Sequence, residues 1–183
     1  MFKKVCIIGC GLIGSSLARA IKKHNLSEKI VSSNRSDIVN KKVLELKIVD
    51  DSSSDTQKMV NDSDLIIIAT PLSSYENVIL KIKNSLKNGM ILTDVGSVKG
   101  SVIGLVEKAI PKDVSWIPSH PIAGTEESGP EAGFSELFEN RWCILTPSKK
   151  AKEKDINTLK SFWKKIGSKV DIMDAKQHDY ILS

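Results

Sequence analysis

The chain has 183 residues, a formal charge of +5, 40% hydrophobic and 27% charged residues. That is enough for one self-supporting core, or for one domain and the start of another, since a folded chain of this size buries about 70% of the surface its unfolded form exposes. No apolar run approaches the roughly 18 to 20 residues of a membrane span, and the run after Met1-Phe-Lys-Lys4 is broken by glycine too early for a secretory signal.

Three cysteines, Cys6, Cys10 and Cys143, are odd in number and lack metal-ligand spacing. They read as reduced thiols of a cytoplasmic protein without a metal centre. The densest basic stretch, 149–169, carries Ile156, Leu159, Phe162, Trp163 and Ile166 at helical spacing. Its lysines therefore form the solvated face of a helix, and with no recognition motif nearby a nucleic-acid partner is excluded.

In chain order, Val5–Ile8 reads as a strand buried on both faces, closed by glycine, and Leu12–Lys23 as a helix with basic residues in its last turn. A strand at Ile30–Ser33, a helix at Asp37–Leu46 and a short strand at Ile48–Val49 follow. Leu65–Ala69 is the most apolar strand, Tyr75–Leu86 a helix, and Met90–Asp94 a strand released by the Asn88-Gly89 turn. Then come a helix at Lys99–Ala109, a strand at Ser115–Ile117 and a loop rich in Pro, Gly and Ser. A strand at Arg141–Thr146, a helix at Lys152–Ile166, a strand at Val170–Met173 and a helix from Ala175 onward complete the chain. Helix-length connections between buried strands imply parallel pairing, hence an α/β fold with a doubly wound, mainly parallel sheet of Rossmann type. Ligands of such sheets sit beyond the carboxyl ends of the strands.

The run Gly9-Cys-Gly11-Leu12-Ile13-Gly14 lies between the first strand and the first helix, where it forms a dinucleotide phosphate cradle. Gly9 permits the tight turn, Gly11 close approach of a pyrophosphate, and Gly14 close packing of helix on strand, while the helix N-terminus offers unpaired N–H groups. Twenty positions on, Asn34-Arg35-Ser36 stands where an acid would hold the ribose of NAD. Asn34 removes the charge that repels a 2′-phosphate and Arg35 and Ser36 could bind one, which favours NADP; the alternative is that Asn34 binds the ribose and Arg35 stacks on the adenine.

Ala69-Thr70-Pro71 and Asp94 end two further strands on the cofactor side. Ser97 presents a hydroxyl at the sheet edge, and His120 sits on a loop framed by Pro121 and Gly124, with Thr125 and Glu126 close behind. Of the other histidines, His24 fits a helix end and His178 has no local partner in sequence. These segments, with 142–147, resemble in order the prephenate/arogenate dehydrogenase family of tyrosine biosynthesis. The segment His120-Pro-Ile-Ala-Gly-Thr-Glu126 is the specific part.

The resemblance implies an NAD(P)-dependent oxidative decarboxylation of a cyclohexadienol. His120 would then act as base or acceptor at the ring hydroxyl, Ser97 as its hydrogen-bond partner and holder of the imidazole, and Thr125 and Glu126 as the substrate side of the pocket. Lys99 would either contact a carboxylate or fit ordinary solvation at a helix start. It further implies that 1–174 form the nucleotide-binding domain and 175–183 the start of a connecting helix. The all-helical domain that makes the family's homodimers and binds the substrate carboxylates is expected beyond it, so that the chain reads as a truncated enzyme. The alternatives are another β-hydroxyacid or imine oxidoreductase, for which the His120 loop has no task, and a silent dinucleotide-binding module.

Overall fold

The computed structural model describes residues 1–182; Ser183, the end of the expected terminal helix, lies outside the described residues. Six parallel strands form the main sheet: β1 (Phe2–Ile8), β2 (Ser27–Ser33), β3 (Asp51–Ser53), β4 (Leu65–Ile68), β5 (Ile91–Asp94) and β6 (Ser115–Trp116), in the order β3-β2-β1-β4-β5-β6. Helices α1 (Leu12–Lys23), α2 (Asp37–Glu45), α3 (Thr56–Val60), α4 (Tyr75–Ile82) and α5 (Gly100–Ala109) fall between them.

The centre of the sheet is apolar on both faces because alternate residues of β1 and β4 serve different cores. Val5, Ile7, Leu65 and Ile67 share one cluster with Leu17 and Ile21 of α1. Cys6, Ile8, Ile66 and Ile68 share another with Ile79 of α4 and Val106 of α5. Each fully buried aliphatic side chain of this kind contributes about 1.5–3 kcal/mol. The winding direction reverses between β1 and β4, which opens a crevice beyond their carboxyl ends.

Two segments depart from the pattern read in the sequence. Ile48 and Val49 form no strand; they follow a left-handed residue, Lys47 (φ 53°), and are buried in the core of the turn. The edge strand is the polar Asp51–Ser53 instead, anchored by Asp50 N–H on Ile30 O at 2.7 Å and Ile30 N–H on the Asp50 carboxylate at 2.7 Å. An edge strand needs backbone partners more than apolar side chains, so periodicity missed it.

The second departure is a separate three-stranded sheet. β7 (Ser119–Pro121) lies inside the Pro/Gly/Ser segment and pairs antiparallel with β8 (Trp142–Leu145), which pairs parallel with β9 (Lys169–Ile172) through α6 (Glu153–Lys165). The return from β7 to β8 contains no helix, which frees it from the parallel rule that helical crossovers impose. Ser119 Oγ ties the two sheets, bonding Thr93 Oγ1 at 2.7 Å and accepting from Trp163 Nε1 at 3.3 Å. The last helix, α7 (Ala175–Leu182), starts where Asp174 accepts the N–H groups of Lys176 and Gln177, and it docks on the first turn of α5. Among the described residues no helix is long and apolar enough to cross a membrane.

Candidate functional site

The turn after β1 is built around its glycines. Gly9 has φ 95°, and a Cβ there would lie 2.8 Å from Ala69 O; a Cβ on Gly14 would overlap Gly9 O. A Cβ on Gly11 would meet nothing within 4 Å, so this part of the backbone faces open space. Gly11 is also the N-cap of α1 and supplies no side-chain cap, leaving the first N–H groups of the helix for a ligand.

The crevice outside this turn has a volume of about 670 Å³ and is lined by Gly9, Gly11, Arg35, Ser36, Thr70 and Pro71, among others. None of the described lining residues is acidic, and Arg35 and Lys81 are cationic. Thr70 Oγ1 is buried without a hydrogen-bond partner in the described residues, an orphan that a bound sugar or amide would satisfy. An extended, anion-compatible groove with a bare helix N-terminus and an unpaired hydroxyl fits a dinucleotide.

Four residues expected at the cofactor do something else or something more. The half-buried side chains of Leu12 and Ile13 pack against the core, while their backbone N–H groups stand in the uncapped first turn of α1. Asn34 reaches the lining, but its side chain is spent inside: Oδ1 accepts from Cys10 N–H at 2.6 Å, and Nδ2 donates to Asn40 Oδ1 at 3.0 Å and Ser32 Oγ at 3.3 Å. These bonds fix the glycine turn against β2 while the residue itself lines the crevice. Asp94 does not face the cofactor at all, because it is fully buried and bonded on every side.

Asp94 is the hub of a network beneath His120. Lys99 Nζ lies 2.8 Å from both Asp94 oxygens and donates to Ser119 O at 2.6 Å, and both side chains are completely buried. Tyr75 OH, Gly96 N–H and Ser119 N–H also donate to the carboxylate, at 2.8, 3.0 and 3.1 Å. Burial pushes the Lys99 ammonium below its ordinary value while the Asp94 carboxylate pulls it back. Lys99 is therefore neither a solvated helix-start residue nor free to meet a substrate carboxylate. Burial, with Asp94 adjoining, also pushes the Tyr75 phenol up, so it stays a donor.

The Ser119 bonds set His120 at the carboxyl end of β5, half-buried. Its imidazole is lowered to about 4, first by burial, then by the Lys99 ammonium and by His178, so the ring is neutral across the physiological range. Its Nδ1 is 2.9 Å from His178 Nε2, and His178 Nδ1 is 2.8 Å from Asp179 Oδ1. The ring is thus held by His178 and not by Ser97, which stands exposed two residues before Lys99. Thr125 and Glu126 are exposed on the loop after β7, where Thr125 Oγ1 accepts from Glu127 N–H at 3.2 Å. The same loop reaches the crevice at Gly129 and Pro130.

Sequence reasoning missed His178, Asp179, Lys99 and Tyr75 as parts of this cluster. The one available signal was Asp94 and Lys99 bracketing a short glycine loop after a buried strand. The cysteines take no part: burial pushes the thiols of Cys6 to about 12 and Cys10 to about 11, and raises that of Cys143 well above its ordinary value.

A family model described as the nucleotide-binding domain of prephenate dehydrogenase matches residues 17–172. The chain is 37% identical over 183 residues to the cyclohexadienyl dehydrogenase of Zymomonas mobilis subsp. mobilis, covering all of this chain and 62% of that one. It is 34% identical over 181 residues to the prephenate dehydrogenase of Lactococcus lactis subsp. cremoris, covering 98% of this chain and 49% of that one. The fold superimposes on a crystal structure of prephenate dehydrogenase from A. aeolicus in complex with hydroxyphenyl propionate and NAD+. That match has a TM-score of 0.91 and 29% identity, over 99% of this chain and 63% of that one. The chain thus spans about half to two-thirds of the length of these relatives.

Proposed function

The chain belongs to the prephenate dehydrogenase family through its nucleotide-binding domain, and from that membership we propose that it is the cofactor-binding and proton-accepting part of an NAD(P)-dependent dehydrogenase that oxidatively decarboxylates prephenate or arogenate. The observation that carries this reading is His120, neutral and half-buried at the carboxyl edge of β5, one loop away from the glycine-lined crevice. When bound, the nicotinamide supplies the hydride acceptor. His120 Nε2 accepts the proton of the ring hydroxyl. The hydroxyl becomes strongly acidic as its carbon gives up hydride, so a base lowered to about 4 suffices. Ser97 donates to the same oxygen, and Thr125 and Glu126 line the substrate side. Gly9, Gly11 and the first N–H groups of α1 hold the pyrophosphate, with Ala69, Thr70 and Pro71 along the ribose and nicotinamide.

The cofactor is NADP in preference to NAD. Support comes from Arg35, Ser36 and Lys81 on an acid-free rim, with Asn34 turned inward. Residues 1–174 are the cofactor domain of this cytoplasmic enzyme, and α7 leads toward a helical domain that pairs two copies and supplies the carboxylate-binding cations.

Calorimetric titration tests the cofactor: NADP+ binds more tightly than NAD+, and Arg35→Ala weakens NADP+ by about tenfold with little effect on NAD+, the equivalent of one charge-assisted hydrogen bond. A stronger affinity for NAD+ rejects the preference. Turnover of prephenate and arogenate with release of carbon dioxide tests the reaction. There His120→Asn lowers kcat far more than it changes KM, and near-normal turnover in that variant rejects the assignment.

A further inference from the structure

We infer that His178 and Asp179 of α7 are positioning residues that set the tautomer of His120, so that Nδ1 carries the proton and Nε2 presents the lone pair to the substrate hydroxyl. The inference rests on the reading of His120 as proton acceptor, and names what makes it one.

The argument begins at the carboxylate. Asp179 Oδ1 accepts from Lys99 N–H at 2.9 Å and Oδ2 from Gly100 N–H at 2.7 Å, which fixes the side chain across the first turn of α5. Burial alone would raise this carboxyl, but the His178 ring and the two backbone donors bring it below its ordinary value. An ionised carboxylate can only accept. The contact between Asp179 Oδ1 and His178 Nδ1, 2.8 Å, therefore requires the proton on His178 Nδ1.

In a neutral ring that leaves His178 Nε2 as a lone pair. His178 is fully buried, so no water competes for that lone pair, and its neighbour at 2.9 Å is His120 Nδ1. His120 Nδ1 must then be the donor, which leaves His120 Nε2 unprotonated. With His178 neutral, the chain of three groups runs in one direction, from His120 to the carboxylate. Free imidazole side chains favour the opposite form, with the proton on Nε2, and a ring in that form could not accept from an alcohol. The other charged groups facing His120 are Lys99 and Asp94 from beneath, and neither offers its ring an acceptor: Asp94 is saturated by its own donors, and Lys99 only donates.

In the reaction the O–H bond of the substrate breaks and a bond to His120 Nε2 forms, while the O–H electron pair stays on oxygen as the carbonyl develops. The new imidazolium keeps its Nδ1–H on His178 and finds an ionised acceptor at the end of the chain. In a serine protease triad, turning the imidazole to the wrong tautomer with an Asp-to-Asn change costs about 10⁴ in kcat.

The test is nitrogen-15 NMR of the histidine-labelled full chain at neutral pH, read with and without substitutions. The wild-type spectrum should show both His120 and His178 as Nδ1–H tautomers. Asp179→Ala, which removes the acceptor from His178 Nδ1, should release both rings to the Nε2–H form. In the enzymatically active protein it should lower kcat by about 100-fold or more with little change in KM, the scale of general acid–base catalysis. His178→Phe should return His120 alone to the Nε2–H form.

A wild-type His120 carrying its proton on Nε2 overturns the inference, and that measurement needs no variant to fold. So does an Asp179→Ala protein that keeps both tautomers and its kcat. If the tautomers are as stated but neither prephenate nor arogenate is turned over, the functional reading falls while the polarity of the chain stands.

Discussion

Replacing Lys99 with methionine removes the cation from the buried network and leaves its volume nearly filled. Asp94 then keeps three donors, Tyr75 OH, Gly96 N–H and Ser119 N–H, but no counter-charge. Breaking a buried pair on one side costs about 3–5 kcal/mol. The carboxyl can escape by binding a proton, which at pH 7 costs about 4 kcal/mol from its ordinary value, and that sets a ceiling. With three donors remaining, the loss should be about 3 kcal/mol. Asp94→Asn is the harsher change: the ammonium keeps only neutral acceptors, Ser119 O and the amide oxygen, with no counter-charge, and neutralising a lysine at pH 7 costs about 4.6 kcal/mol.

Urea denaturation followed by the fluorescence of Trp116 and Trp163, both buried, measures these losses. For a domain of this size about 1 kcal/mol corresponds to roughly 2–4 °C in Tm. The double variant should be more stable than the sum of the single losses by about 2 kcal/mol, because it leaves no unpaired charge. The deficit of Lys99→Met alone should shrink as pH falls from 7, since the stranded carboxyl takes up a proton. A loss below about 1 kcal/mol for Lys99→Met, or strict additivity of the pair, refutes the claim that this ion pair is desolvated and mutually dependent.

Three further outcomes follow from the same structure. His120 stays neutral in the folded state down to about 4, whereas an unfolded histidine binds a proton near pH 6.5. The unfolded chain therefore holds more protons between those limits, and stability falls as pH falls through that window. For a half-exposed ring the effect is about 1–2 kcal/mol, and it should vanish from the urea midpoints of His120→Asn. Gly14→Ala, whose Cβ would overlap Gly9 O, should lose about 1–3 kcal/mol and most dinucleotide affinity, checked by urea denaturation and calorimetry. Asn34→Asp sets a carboxylate against Asn40 Oδ1. It should lower stability by about 1–3 kcal/mol without restoring an acidic ribose clamp, as paired titrations with NAD+ and NADP+ would read.

The sequence carried the parallel sheet and the glycine turn because both depend on local signals: apolar runs of strand length, and a fixed spacing between strand and helix. It also singled out His120, from its frame of proline and glycine. It did not carry the partners of that ring. His178 lies 58 positions from His120 on a helix whose pattern looks ordinary, and only the docking of α7 on α5 brings the two together. Lys99 and Asp94 looked like separate residues of a loop and a strand end, although their side chains close a buried ring of hydrogen bonds. The second sheet was hidden for a related reason. Its first strand is three residues long, contains a proline and owes its form to Cys143 and Leu145 across the ladder, a contact no local window includes.

The position of β1 bears on the order in which the sheet can close. It precedes the other five strands of its sheet in sequence and takes a place in the middle of that sheet, with Val5 opposite Ile30 on one side and Leu65 on the other. Phe2 meets the ring of Phe162 edge to face at 6.0 Å, so part of the cover of β1 comes from α6, far along the chain. Contacts of such long sequence separation form slowly, and until they form the strand edges and apolar faces stay open. Until β2, β4 and α6 are in place, Phe2–Ile8 is therefore an extended apolar segment with both of its edges open, and the sheet closes around its own first strand last.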